Sequence, residues 1–348
     1  MRRLSSPCLL FLALSAPALA SPPSPLDSEP SAWLDQMVRA MHTTSYEGVF
    51  VHVREDGFDT MRIVHGYDDA GEHERLWSLN GLRREVLREN DRCTCTWPDS
   101  QTVVSGYFPG ARARLSADRF KQPAMLAENY ELRLLGRERV ADRACQELAL
   151  VPRDALRFGY KLCVDVANDL MLRMSVFDEQ GRAVEHNFFT ALSVPEAPIP
   201  RENFVSCVDA QGFKHLETAV APEAADKART QPLDHWYIPN PPPGYRLRHG
   251  VERRNPESGQ PFEHYAYTDG LSMISVFVER RGDGDSLLQE SKVQSLRPGQ
   301  AMRMQSRDDG PYRITVIGEA PSEVIRQFLA GMKPRPPMTP TVPQADGQ

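Results

Sequence analysis

Residues that could do chemistry are present in this chain, but not at the spacings that chemistry needs. No Gly-x-Ser-x-Gly elbow occurs to present a nucleophile. His73-Glu74 lacks the second histidine that a zinc helix places four residues on. Cys93-x-Cys95 is too tight for the usual zinc or redox pairs. Asp283-Gly284-Asp285 spells the start of a calcium loop, yet the later ligand positions are unfilled, so a turn is the better reading. No glycine loop is suited to cradling phosphate. The sequence therefore offers no catalytic set, no metal site and no cofactor motif, which points to a binding protein. What remains is arginine in clusters, Arg83, Arg84, Arg88 and Arg92, then Arg246, Arg248, Arg253 and Arg254. Such runs are usually solvated faces, but guanidinium forks also match carboxylates and lipid phosphates. Removing Arg2 and Arg3 with a leader takes the formal charge from −6 to −8, which argues against nucleic acid as a partner.

The elements that would position these residues centre on 46–90. Tyr46 to Arg54 alternates, with Val49, Val51 and Val53 on one face and Tyr46, Gly48 and Phe50 on the other. The valine face is expected to turn inward. Further runs follow across Glu55-Asp56-Gly57, Asp69-Ala70-Gly71 and Asn80-Gly81, with Met61, Ile63 and His65 sharing a face. Asp-Gly and Asn-Gly tolerate the positive φ of tight hairpins, so this is an antiparallel meander. Its apolar face must be buried against the chain's own helices or a visiting apolar ligand. A helix capped by Ser31, with Trp33, Leu34, Met37, Val38 and Met41 on one stripe, is the nearest cover.

Cys93 to Val104 reads as a strand pair, Ser116 to Ala127 as a short helix, and five more strands run from Tyr130 to Leu192. Cys145 and Cys163 flank a hairpin turning near Pro152-Arg153-Asp154. Pairing them directly would set Glu147 opposite Lys161 and Leu148 opposite Tyr160, a sensible register for a disulfide. A second bridge, from Cys207 to Cys93 or Cys95, is a weaker expectation and leaves one thiol over.

At 348 residues about two domains are expected. Residues 1–20 read as a secretory signal, with a basic start, the apolar run Cys8 to Ala16 and Ala18-Leu19-Ala20 for cleavage. The mature chain is then exported. Residues 21–205 form the N-terminal unit, 206–232 a linker, 233–332 a smaller unit ending in a helix capped by Ser322, and 333–348 a disordered tail.

Several segments in order resemble the RseB/MucB family of periplasmic stress regulators. They are Tyr46-Glu47-Gly48-Val49-Phe50-Val51, Ile63-Val64-His65, Leu79 to Val86, Arg139 to Arg143, the Pro-Gly stretch after Trp236, Tyr267 to Leu271 and Ile314 to Glu319. The resemblance implies an α+β protein. Its N-terminal domain would be a half-open antiparallel β-barrel wrapped around helices, like the lipoprotein carriers LolA and LolB, followed by a smaller α/β C-terminal domain. It also implies regulation by binding rather than catalysis. Such proteins hold the periplasmic domain of a membrane anti-sigma factor, protect it from site-1 proteolysis and release it on sensing lipid or lipopolysaccharide. On this reading Trp33, Met37, Val49, Val51, Ile63 and Trp77 are candidates for lipid contact. Arg83, Arg84, Trp236, Tyr245, Tyr267 and Asp269 are candidates for partner contact. Self-association is compatible with it. Two other classes stay open, a lipid carrier using the same hollow and an exported hydrolase with an unusual site.

Overall fold

The computed structural model describes residues 29–107, 117–218, 235–255, 258–282 and 301–335. The signal segment, the second half of the expected linker, Asp283-Gly284-Asp285 and the tail from 336 lie outside the described residues. Helix α1 (Pro30–Thr43) opens on a proline rather than on a Ser31 cap, and Glu29 before it makes no side-chain cap bond. Proline fits the first turn because the N–H it lacks would have no helical acceptor there. Trp33, Leu34, Met37, Ala40 and Met41 are the buried stripe.

Strands β1 (Tyr46–Arg54), β2 (Gly57–Asp68), β3 (Gly71–Ser78), β4 (Glu85–Glu89), β5 (Arg92–Trp97) and β6 (Thr102–Tyr107) form the meander and its extension. After a 3-10 turn at Ala117–Phe120 comes α2 (Pro123–Asn129). The single helix expected from Ser116 is thus two pieces, as Pro123 can start a helix but not continue one. Strands β7 (Tyr130–Val140), β8 (Arg143–Pro152), β9 (Gly159–Asp165), β10 (Met171–Phe177) and β11 (Ala183–Ser193) complete the run. The sheet order is β6-β5-β4-β3-β2-β1-β11-β10-β9-β8-β7, with one further strand beyond β6, and the two ends do not pair. The result is an unclosed antiparallel barrel filled by α1, the 3-10 turn and α2.

The facing of β1 corrects the sequence reading. Tyr46, Gly48, Phe50, His52 and Arg54 are the buried face, and Val49, Val51 and Val53 are half-buried on the other. Phe50 and Tyr46 pack edge-on against Phe189 at 6.0 and 6.1 Å. Gly48 is required beside them, since a Cβ there would lie 2.6 Å from the Phe189 ring. His52 and Arg54 can turn inward because each has an acid, Glu185 at 2.9 Å and Asp59 at 2.6 Å. The valines follow strand propensity rather than burial.

The stretch read as linker also holds structure. Phe204 lies against Gly66, where a Cβ would be 2.5 Å from its ring, and Ser206 hydrogen-bonds Glu85. The chain thus straps across the outer face of β2 to β4, and β12 (Lys214–Thr218) then pairs parallel to the β6 edge. A five-residue edge strand with a single leucine leaves almost no periodicity to read.

Cys145 and Cys163 are joined, with Cα atoms 5.4 Å apart. The register differs from the direct pairing by two residues: Cys145 faces Asp165, Glu147 faces Cys163 and Leu148 faces Leu162. The bridge therefore runs diagonally between β8 and β9. The expected bridge from Cys207 to Cys93 or Cys95 is not formed: Cys95 and Cys207 are free thiols, Cys207 is exposed, and Cys93 is buried.

In the second domain, β13 (Trp236–Tyr237) is followed by β14 (Arg246–Arg254), β15 (Pro261–Thr268), β16 (Met273–Arg280), β17 (Met302–Asp309) and β18 (Tyr312–Glu319). Helix α3 (Ser322–Gly331) precedes β19 (Lys333–Pro334), which pairs with β13. The main sheet has order β14-β15-β16-β18-β17. Val324, Ile325 and Phe328 of α3 cover Tyr265, Tyr267, Ile274, Val276, Ile314 and Val316. On the opposite face His264 stacks on Phe277 at 4.5 Å. Burial, then the charges of Arg253 and His249, push the His264 pKa down to about 3. The unfolded imidazole takes up its proton near pH 6.5 and the folded one does not. Stability should therefore fall as pH drops from about 6.5 towards 3, and His264→Gln should flatten that slope in urea titrations.

Candidate functional site

The seam between the domains is a densely built polar site. Asp269 occupies the β15–β16 turn and is fully buried. Its Oδ1 accepts the backbone N–H groups of Leu271 (2.9 Å) and Ser272 (2.8 Å) and the Ser272 hydroxyl (3.1 Å). That is a turn holding itself together. Its Oδ2 faces the other domain, accepting Arg157 Nε at 3.0 Å and the Tyr130 hydroxyl at 3.4 Å. The Asp269 carbonyl accepts Asn129 Nδ2 at 2.8 Å.

Arg157, on the loop between β8 and β9, is 2% exposed. It also donates to Asp154 and to the Pro243 carbonyl (2.8 Å), and its guanidinium lies over the Tyr245 ring at 5.4 Å. Burial alone would lower its pKa; Asp269 and Asp154 more than offset that and raise it. The Tyr130 phenol is pushed well up, first by burial and then by the Asp269 charge. The Arg157 guanidinium and the Tyr130 phenol are thus each held in one charge state, the arrangement of a fixed joint rather than of a proton-transfer centre.

Two glycines let the surfaces meet. Gly244 has φ +82°, and a Cβ there would lie 2.3 Å from Asn129 Oδ1 and 2.4 Å from Arg157 Nη2. Gly270 has φ +98°, and its Cβ would press on Met125 at 2.8 Å. Around this centre, Arg119 pairs with Glu319 at 2.9 Å and Arg246 with Glu128 at 2.7 Å. Leu271 and Ala301 join the apolar core of the first domain.

Of the residues singled out for partner contact, Asp269 and Tyr245 meet at this seam, Tyr245 also donating to the Leu156 carbonyl at 3.2 Å. Tyr267 and Trp236 sit in the core of the second domain, Tyr267 against Phe328 at 5.0 Å. Arg83 and Arg84 lie elsewhere, at the β3–β4 turn. Arg83 is well exposed and bonds Asp99 at 2.9 Å, while Arg84 is half-buried over the Met61 sulfur. Arg157, Tyr130 and Asn129 escaped sequence reasoning. A lone arginine in a loop carries no periodic signal, and the acid it meets across the seam is 112 residues away.

The residues singled out for lipid contact divide between two faces. Trp33, Met37 and Ile63 are packed in the barrel core at 3%, 0% and 1% exposure. Val49, Val51 and Trp77 lie on the outer side, where the Trp77 ring sits between Arg62 and Arg75 at 5.6 and 4.6 Å. Strand register gives a better-defined apolar surface. Ile63, Leu76, Val86, Cys95, Val104 and Leu216 follow one another across the concave face. Ile63 and Leu76 are buried, but the last four are only half-buried. The apolar row thus emerges from under α1 towards the β6–β12 edge. Sequence reasoning missed its outer part because Val86, Cys95 and Val104 are spread over three short strands.

Residues 29–208 match the family model for the MucB/RseB N-terminal domain, and residues 230–333 that for the MucB/RseB C-terminal domain. The sigma factor AlgU regulatory protein MucB of Pseudomonas aeruginosa is 32% identical over 331 residues, 93% of this chain and 96% of that protein. The sigma-E factor regulatory protein RseB of Escherichia coli K12 is 26% identical over 92% of this chain and 94% of its own length. These relatives carry regulatory names, not enzyme names. Among solved structures, the Pseudomonas aeruginosa MucA/MucB complex matches with TM-score 0.65 and 27% identity, covering 89% of this chain and 100% of that one.

Proposed function

Since the chain belongs to the MucB/RseB family, we propose that it is a periplasmic regulator that binds the periplasmic domain of a membrane anti-sigma factor. It protects that domain from site-1 proteolysis and lets go when lipid or lipopolysaccharide occupies the N-terminal hollow. The observation that carries the reading is the match over both domains to relatives named as sigma-factor regulators, one of them solved together with MucA. The half-buried row Val86, Cys95, Val104 and Leu216 supports the lipid arm, because an acyl chain laid along it would gain about 0.8 kcal/mol per buried methylene. Release follows by linkage if the lipid-bound form holds the peptide less tightly.

A lipid carrier of the LolA/LolB type could use the same row. The extensively bonded seam to a second domain favours the regulator, as a carrier has no evident need for it. Pull-down from envelope extract tests the choice. The mature protein should retain an anti-sigma factor and lose it when lipopolysaccharide is added. Recovery of lipoproteins with no anti-sigma factor would favour the carrier.

A further inference from the structure

The second domain has an edge of which the seam uses only the first residue, Arg246, and the apolar row none. Strand β14 is the outer strand of its sheet. Its sequence, Arg246-Leu247-Arg248-His249-Gly250-Val251-Glu252-Arg253-Arg254, carries four arginines and one acid in a chain of formal charge −6. Val251 and Arg253 stand opposite His264 and Phe262 on the face away from α3. There His249 meets His264 at 5.6 Å, His264 stacks on Phe277, and Phe262 lies 6.0 Å from Phe277. Arg253 Nε and His264 Nδ1 are buried without a hydrogen-bond partner. His264 Nε2 is occupied by the Ser275 hydroxyl at 3.0 Å. Glu279, opposite Phe262 on the far side of β15, is the nearest acid in register on this face. Burial pushes the Arg253 pKa down, and among the described residues no acid counters it. A half-buried cation beside an imidazole with an unpartnered Nδ1 and an aromatic floor forms the receiving half of a charge-assisted contact.

We infer that β14 and the Arg253–His264 corner bind an extended acidic segment of the partner polypeptide, which adds to the sheet edge and places a carboxylate on Arg253. This rests on the regulatory reading and names the chemistry of the partner's segment. Edge addition supplies affinity through main-chain bonds, and the side-chain pocket supplies selectivity. Two features favour a peptide over a free phosphate. The exposed edge matches an extended backbone, and the half-buried Phe277 offers apolar surface beside the charge. Arg248, exposed on the same strand, adds a second anchor.

The test uses the mature protein and a labelled peptide alternating Glu and Val, with a Gln-for-Glu version as control, followed by fluorescence anisotropy. The Glu peptide should bind at least tenfold more tightly than the Gln peptide. Arg253→Gln and Arg248→Gln should each weaken it about tenfold, whereas Arg326→Gln on α3 should not. Thermal melts verify that the variants are folded, and His249→Asn gives an independent perturbation of the same corner. Equal binding of the two peptides, or full affinity in Arg253→Gln, would overturn the assignment. Saturation by inorganic phosphate without peptide binding would overturn it too, leaving a simple anion site. Capture of the anti-sigma segment by wild type, with affinity unchanged in Arg253→Gln, would sink this site but spare the regulatory reading. Failure of the wild type to capture that segment while still binding the Glu peptide would do the reverse.

Discussion

Arg157→Leu is expected to destabilise the folded chain by about 3–5 kcal/mol, the range for removing one partner of a buried ion pair. Asp269 cannot turn to water, because its Oδ1 is fixed by the turn it closes. Its Oδ2 would keep only the Tyr130 hydroxyl, at 3.4 Å. Asp269→Asn should cost less, since the amide oxygen can still accept from the turn while Arg157 retains Asp154 and the Pro243 carbonyl. The double variant should then be less destabilised than the single effects add up to, with a coupling of about 1–3 kcal/mol. Urea unfolding of the four proteins measures this. Additive effects would mean that the two groups do not act as a pair. Because the pair spans the domains, proteolysis at the seam should also accelerate in Arg157→Leu before global unfolding.

The second large effect is a contrast between adjacent residues. Phe50→Asp should cost more than about 4 kcal/mol and leave little folded protein, because it puts a charge among Tyr46, Met61 and Phe189. Val51→Asp should cost only about 1 kcal/mol, mostly lost strand propensity, as its side chain is half-buried on the outer face. Thermal melts of the two proteins decide the facing of β1. Equal losses, or the larger one at Val51, would reverse the assignment made here.

Much of the fold was readable along the chain because its signals are local. Asp-Gly and Asn-Gly marked the hairpins at Gly57 and Gly81, both of which have positive φ. The apolar stripe of α1 has helical spacing, so its buried side needed no knowledge of its cover. β12 was not readable, since an edge strand held by pairing to β6 leaves no alternation of its own. The seam was half legible. Asp269 and Tyr245 stood out through family likeness, but the likeness carried no indication that they brace one domain on the other.

The sequence by itself determined where the hairpins of the meander turn, that Cys145 and Cys163 can meet and to which family the chain belongs, since each depends on neighbouring residues or on ordered motifs. Only the tertiary structure decided which face of β1 is inside, how the disulfide runs and what Asp269 holds. A period of two defines two faces without ranking them. The ranking came from Glu185 and Phe189, more than a hundred residues beyond β1, which make histidine and glycine fit the interior better than valine. Asp269 likewise is an ordinary turn acid until folding brings Arg157 to its second oxygen.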